Sequence, residues 1–159
     1  MSGGDRPRVL VAGIGNPDRG DDGIGPAVAR RLSGRVPPGV SVRELGGDAL
    51  ALIEGWEGFA SVILVDAVAP IMTPGRIHRL DLVRNRLPAA FSSPSTHALG
   101  LSETVELARS LGRLPPLVGA YLVEGERFET GAPLSPTVAR AVEQVAEEIL
   151  GEITAMSEA

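Results

Sequence analysis

Short apolar segments alternate along the chain with amphipathic segments, and this alternation predicts its secondary structure. The predicted strands are residues 8–13, 40–45, 61–66, 76–82 and 116–123. The predicted helices are residues 23–32, 48–53, 101–111 and 136–149, where apolar positions recur at helical spacing or follow a capping residue. Short, wholly apolar strands are typical of a parallel sheet covered on both faces, so we expect an α/β fold. The alternating segment 76–82 is predicted to be an exposed or edge strand.

Polar residues follow the first and third predicted strands. Residues 13–25 read GIGNPDRGDDGIG, and Asp66 ends the otherwise apolar third strand. Open α/β sheets place their sites at the carboxyl ends of the strands, where the strand order reverses. A carboxylate at the position of Asp66 must be solvated, paired or bound to a cation. Asp21 and Asp22 precede a helix that needs only one cap, which leaves the other carboxylate to face the cleft.

The chain has two histidines, and they differ in setting. His97 lies in a polar loop before a helix, and with Asp22 and Asp66 it completes a set of two carboxylates and one imidazole. Such a set suits a divalent cation, because imidazole accepts zinc or nickel and the carboxylates add charge. The same set can also hold acid–base groups. His78 lies in the alternating segment, and we expect it to be packed or at the surface.

Composition narrows the function classes. The 159 residues are 43% apolar, which fits one folded domain. The chain has no cysteine, and all of its basic residues are arginine, so cysteine nucleophiles and lysine Schiff bases are excluded. A net charge of -5 and 3% aromatic residues argue against nucleic-acid binding. Apolar runs are too short for a membrane span or a signal peptide, so we expect a cytoplasmic protein.

The glycine-rich motif leaves a nucleotide-binding alternative open. Residues 13–18 look like a dinucleotide fingerprint, and Glu44 is placed to bind a ribose. However, Asp18 stands where the third glycine belongs, and Asp21 and Asp22 would repel a pyrophosphate. A nucleotide-binding enzyme or another small hydrolase on a similar sheet is therefore kept as an alternative function.

Three motifs taken in order resemble the hydrogenase maturation proteases. They are GIGNPDRGDDGIG at residues 13–25, VDA at 65–67 and STHALGL at 95–101, with a weaker match in GAPLSPTV at 131–138. The resemblance covers residues 8–151. It implies a three-layer α/β/α sandwich on a five-stranded, mostly parallel mixed sheet with one antiparallel edge strand. The implied organisation is a single domain, residues 1–159, with short tails on either side of this core.

The resemblance also implies an activity and a site. Members of this family are endopeptidases that remove the C-terminal extension from the nickel-loaded precursor of a nickel–iron hydrogenase large subunit, and they are grouped as aspartic-type enzymes. Their metal-binding and catalytic roles fall here on Asp22, Asp66 and His97. The expected cofactor is nickel supplied by the precursor, with other divalent cations able to occupy the site. The precursor is the expected partner.

One position departs from the family pattern. Many members carry an aspartate immediately before a Gly-Gly pair after the second strand, and it is implicated in cleavage or substrate recognition. Leu45 stands there in this chain, and the nearest carboxylates are Glu44 and Asp48. A non-catalytic factor for hydrogenase assembly is therefore a second alternative function.

Overall fold

A five-stranded sheet forms the centre of the described part of the chain, which comprises residues 8–88, 91 and 100–158 of a computed structural model. Its strands are β1 (Val9–Ile14), β2 (Val40–Leu45), β3 (Ser61–Val68), β4 (Ile77–Asp81) and β5 (Leu117–Glu124). The strand order is β2-β1-β3-β5-β4. All neighbours are parallel except β4 and β5, which are antiparallel. The predicted mixed sheet with one antiparallel edge strand is confirmed, and the predicted strand bounds are within two residues of those observed.

In the described part of the chain, four α-helices cover the two faces of the sheet and make a three-layer sandwich. They are α1 (Ile24–Leu32), α2 (Ala49–Gly55), α3 (Leu101–Ser110) and α4 (Pro136–Glu158). Helices α1 and α4 bury their apolar side chains against one face, with Val28 and Val145 both fully buried. Helices α2 and α3 pack on the other face, where Trp56 and Val105 belong to one apolar cluster. The predicted fold class is confirmed.

Helix α4 is longer than the sequence pattern predicts. We expect it to end near residue 149 with a short tail beyond 151, but it continues to Glu158. The extra turns persist because Ile153 is 2% exposed and continues the apolar stripe. Glu152 also accepts hydrogen bonds from Arg79 on β4 and Tyr121 on β5. Among the described residues, no helix combines the length and the apolar composition that a membrane span requires.

The strand order reverses between β1 and β3. From β1 the chain goes to β2 on one side and then returns to β3 on the other side. A crevice therefore opens at the carboxyl ends of β1 and β3. The segment after β1 and the last residues of β3 both lie at this crevice.

The start of α1 packs against the sheet too closely for side chains. A 3-10 helix (Gly20–Gly23) precedes α1, and neither aspartate in it makes a side-chain capping bond. The expectation that Asp21 or Asp22 caps the helix is therefore wrong. A Cβ on Gly13 would lie 2.1 Å from the carbonyl oxygen of Gly25, and one on Gly15 (φ 134°) would lie 2.0 Å from that of Asp22. The glycines of the motif permit this close approach.

Candidate functional site

Asp66 and Asp22 are buried carboxylates that interact at the carboxyl ends of β3 and β1. Asp66 is 6% exposed and Asp22 is 2% exposed. Burial raises the pKa of Asp66 well above its usual value, and repulsion from Asp22 raises this pKa further. The backbone N–H of Ala67 donates to Asp66 Oδ1 at 2.8 Å and partly opposes the rise. The crevice thus brings together two carboxyl groups that the sequence separates by 44 positions.

One oxygen of Asp22 has no partner in the described part of the structure. Its Oδ2 accepts a hydrogen bond from the backbone N–H of Asn16 at 2.9 Å, which fixes the side chain. Its Oδ1 is buried without a hydrogen-bond partner among the described residues. A buried, unsatisfied carboxylate oxygen is costly, so it is expected where a cation or a substrate donor binds. Asp22 is therefore oriented, and its Oδ1 is left without a partner among the residues that the structure describes.

Asp21, the neighbour of Asp22, makes hydrogen bonds that stabilise the fold. Its side chain is fully buried and accepts from the backbone N–H groups of Glu126, Arg127 and Ser135 at 2.7 to 2.9 Å. The Ser135 hydroxyl donates to it as well, at 2.8 Å. Asp21 therefore fixes the 3-10 helix to the loop between β5 and α4. By doing so it sets the position of Asp22.

His97, the third predicted ligand, lies outside the described residues. Within the described ranges, no group of three histidine, cysteine, aspartate or glutamate side chains is arranged to hold a metal ion. The structure thus brings together two of the three predicted site residues. The assignment of His97 to the site stays a prediction from the sequence.

A buried glutamate at the same edge of the sheet was missed by the sequence analysis. Glu124 ends β5 and is fully buried. Its Oε1 accepts the backbone N–H groups of Ile71, Met72 and Thr73 at 2.7, 2.6 and 3.1 Å. Its Oε2 lies 2.7 Å from Nε2 of His78. The signal was available, because a carboxylate that ends an apolar strand also singled out Asp66.

The pKa of Glu124 is low, and acid stability should reflect this. Burial raises this pKa, but the N–H of Met72, the His78 ring and the other loop amides outweigh burial and lower it to about 2 from an ordinary 4.5. A lowered pKa gives stability that is present above pH 4.5 and lost as the pH falls towards 2.

We expect Glu124→Gln to remove this part of the pH dependence. Urea unfolding of the wild type should show a free energy of unfolding that falls steeply between pH 4.5 and 2. The variant should show a shallower fall, since glutamine does not titrate. Equal slopes for the two proteins in that window would contradict the role assigned to Glu124.

Glu44 and Asp48, the carboxylates nearest to Leu45 in the sequence, bind other groups. Both side-chain oxygens of Glu44 accept from Arg30 on α1, at 3.3 and 3.0 Å. Asp48 caps α2 by accepting from the N–H of Leu50 at 3.0 Å, as predicted. Leu45 packs against the apolar cluster beneath α2 and α3. Neither carboxylate replaces the aspartate that many family members carry. Glu44, which would bind the ribose in the nucleotide-binding alternative, is paired with Arg30 instead.

The chain is similar in sequence to known proteins of hydrogenase maturation. The family model for HycI hydrogenase maturation proteases matches residues 26–152. The chain is 33% identical over 139 residues to the hydrogenase expression/formation protein HupD of Bradyrhizobium diazoefficiens, covering 82% of this chain and 70% of that protein. It is 29% identical over 150 residues to the hydrogenase 2 maturation protease of Escherichia coli, covering 92% and 90%.

Solved structures show the same similarity. The hydrogenase maturating endopeptidase HybD of Escherichia coli superposes with a TM-score of 0.79 at 27% identity, over 92% of each chain. The hydrogenase maturation protease HycI of Thermococcus kodakarensis superposes with a TM-score of 0.73 at 25% identity, over 94% of each chain. The likeness therefore extends over nearly the whole fold.

Proposed function

Since this chain belongs to the hydrogenase maturation protease family, we propose that it is an endopeptidase that removes the C-terminal extension from the precursor of a nickel–iron hydrogenase large subunit. The observation that carries the proposal is the buried pair of Asp22 and Asp66. This pair lies at the carboxyl edge of the sheet, where such folds place their sites, and Asp22 Oδ1 has no hydrogen-bond partner within the described ranges. The peptide to be cleaved must reach this crevice.

The chemistry of this pair fits a divalent cation. Two buried carboxylates that repel each other are stabilised when a cation lies between them. We propose that Asp22, Asp66 and His97 hold nickel that arrives with the precursor, since imidazole and carboxylate ligands suit this metal. Bound there, the metal would polarise the scissile carbonyl or activate a water molecule.

Two backbone N–H groups orient the carboxylates of the crevice before the precursor binds. The N–H of Asn16 orients Asp22, and the N–H of Ala67 orients Asp66, so that neither carboxylate has to be ordered when substrate binds. A metal site with only some of its ligands on the protease binds the metal weakly until the precursor adds its own ligands. Cleavage then depends on prior insertion of the metal into the precursor.

The two histidines provide a matched test of this proposal. We expect His97→Ala to lower the rate of precursor processing by about tenfold or more, because loss of a ligand weakens the site. His78→Ala should leave processing intact, since His78 pairs with Glu124 and packs edge-on against Phe91, with ring centroids 4.8 Å apart. Processing is measured by intact mass of the large subunit. Equal losses in both variants would contradict the proposal.

A non-catalytic assembly factor is the second candidate, and Leu45 favours it. If this is the function, the wild type binds the precursor and leaves its extension in place. Leu45→Asp, which restores the carboxylate that many family members carry, should then gain cleavage. Cleavage by the wild type excludes this second function.

A further inference from the structure

The loop between β3 and β4, residues 69–76, passes over the carboxyl end of β5 because β5 lies between these two strands in the sheet. The loop begins directly after β3, so it lies at the same edge of the sheet as Asp66. It displays two consecutive large apolar side chains, since Ile71 is 39% exposed and Met72 is 71% exposed. We call residues 69–76 the rim loop.

The rim loop is held in a defined conformation. Three consecutive N–H groups converge on Glu124 Oε1, and the N–H of Gly75 donates to the Glu124 carbonyl at 2.7 Å. Arg76 contacts the sulfur of Met72 at 3.0 Å. Exposed loops are usually mobile, because few contacts hold them. Here a fully buried carboxylate fixes a loop whose tip contributes little to the core.

A fixed and exposed apolar tip beside a protease site is suited to binding protein. Ordering a loop in advance removes an entropic cost of association. Methionine adapts to irregular apolar surfaces. A protein substrate that places a peptide bond at Asp66 must cover the carboxyl edge of the sheet, and the rim loop begins three residues after Asp66.

We propose that the rim loop is a docking surface for the hydrogenase large-subunit precursor, and that Met72 makes its main apolar contact. This inference rests on the proposed function, because it takes the precursor as the occupant. Glu124 acts as a positioning residue, since it touches the loop backbone and not the reacting atoms. The rim loop contributes to the affinity for the precursor and not to the chemical step.

Met72→Ser tests the docking surface, and Leu117→Ser is its control. Leu117 is 54% exposed and opens β5 at the opposite, amino edge of the sheet, where it pairs with Ser61. With the loaded precursor, we expect Met72→Ser to raise KM about tenfold, as loss of an apolar anchor does. Its kcat and Tm should be unchanged. Leu117→Ser should match the wild type. An unchanged KM in Met72→Ser, or an equal rise in both variants, would overturn the proposal.

Binding and cleavage by the wild type show whether a failure concerns the docking surface or the proposed function. If the wild type binds the precursor without cleaving it, the protease function fails, and Kd then replaces KM in the same comparison. If the wild type does not bind the precursor at all, both proposals fail. If the wild type cleaves the precursor and Met72→Ser has an unchanged KM, only the docking-surface proposal is overturned.

Glu124→Ala tests the positioning role through amide hydrogen exchange. We expect exchange at residues 71–73 to become at least about tenfold faster, because their common acceptor is lost. KM should rise while kcat is retained. Met72→Ser should raise KM without changing exchange. A loss of kcat equal to the rise in KM would contradict the role of Glu124 as a positioning residue.

Discussion

Asp66→Asn is expected to abolish processing and to stabilise the fold at the same time. Asparagine keeps the size of the side chain and the acceptor for the Ala67 N–H, but it removes an ionisable group whose charged form is disfavoured by burial and by Asp22. Loss of this carboxylate should lower the processing rate about 100-fold or more, whether it serves as a ligand or as an acid–base group. The same change should raise Tm by about 3 °C or more at neutral pH.

The pH dependence of this gain is a second readout of the same substitution. Because the pKa of Asp66 is raised in the folded state, the wild type loses stability as the pH rises above the ordinary aspartate pKa of 3.8, until the pH reaches the folded-state pKa. Protonation removes the penalty as the pH falls, so the stability advantage of Asp66→Asn should shrink towards pH 4. Thermal unfolding of both proteins at several pH values measures this. A variant less stable than the wild type at neutral pH would contradict the account.

Asp21→Asn and Asp22→Asn should have opposite consequences, although these residues are adjacent. Asp21 accepts three buried backbone N–H groups and a hydroxyl. An amide nitrogen in place of one of its oxygens leaves buried donors facing each other, so we expect Asp21→Asn to lower the free energy of unfolding by about 3 kcal/mol. Asp22→Asn keeps the bond from Asn16 through one oxygen, so the fold should keep its stability while processing is lost.

Urea unfolding and a processing assay on the same two proteins separate these roles. The structure assigns Asp21 to the fold, through the loop before α4, and Asp22 to the crevice. A stable Asp21→Asn variant, or an Asp22→Asn variant that processes precursor at the wild-type rate, would contradict the assignment.

The sheet could be predicted from the sequence because its central strands carry a strong local signal. Strands β1 and β3 are buried along their whole length, so their composition is almost wholly apolar. The end of α4 could not be predicted as well. Its last turns contain Glu152, a charged residue, and depend on contacts with Tyr121 and Arg79 that only the folded chain provides.

The site was predicted in part, for a related reason. A carboxylate that ends an apolar strand is visible in the sequence, and this singled out Asp66. The division of labour between Asp21 and Asp22 is not visible, because it depends on N–H groups more than 100 positions away. Capping was therefore assigned to residues that do not cap. The same long-range pairing explains why the anchoring of the rim loop by Glu124 appears only in the structure.

The glycine-rich motif shows how one pattern admits two interpretations. Glycines after a first strand are typical of dinucleotide sites, where they admit a pyrophosphate. Here they admit the backbone of α1 and of the 3-10 helix, since a Cβ on Gly25 would lie 2.6 Å from the carbonyl oxygen of Val65. The close approach of these segments to the sheet accounts for the glycines of the motif.

The most direct test of the central claim compares two forms of one substrate. A hydrogenase large-subunit precursor, either loaded with nickel or free of metal, is incubated with the wild-type protein and with Asp66→Asn, and the intact mass of the subunit is measured. We expect the wild type to shorten only the loaded precursor, by the mass of its C-terminal extension, and Asp66→Asn to shorten neither form. A loaded precursor that keeps its full mass with the wild type, or that is shortened equally by Asp66→Asn, would contradict the assignment of cleavage to this crevice.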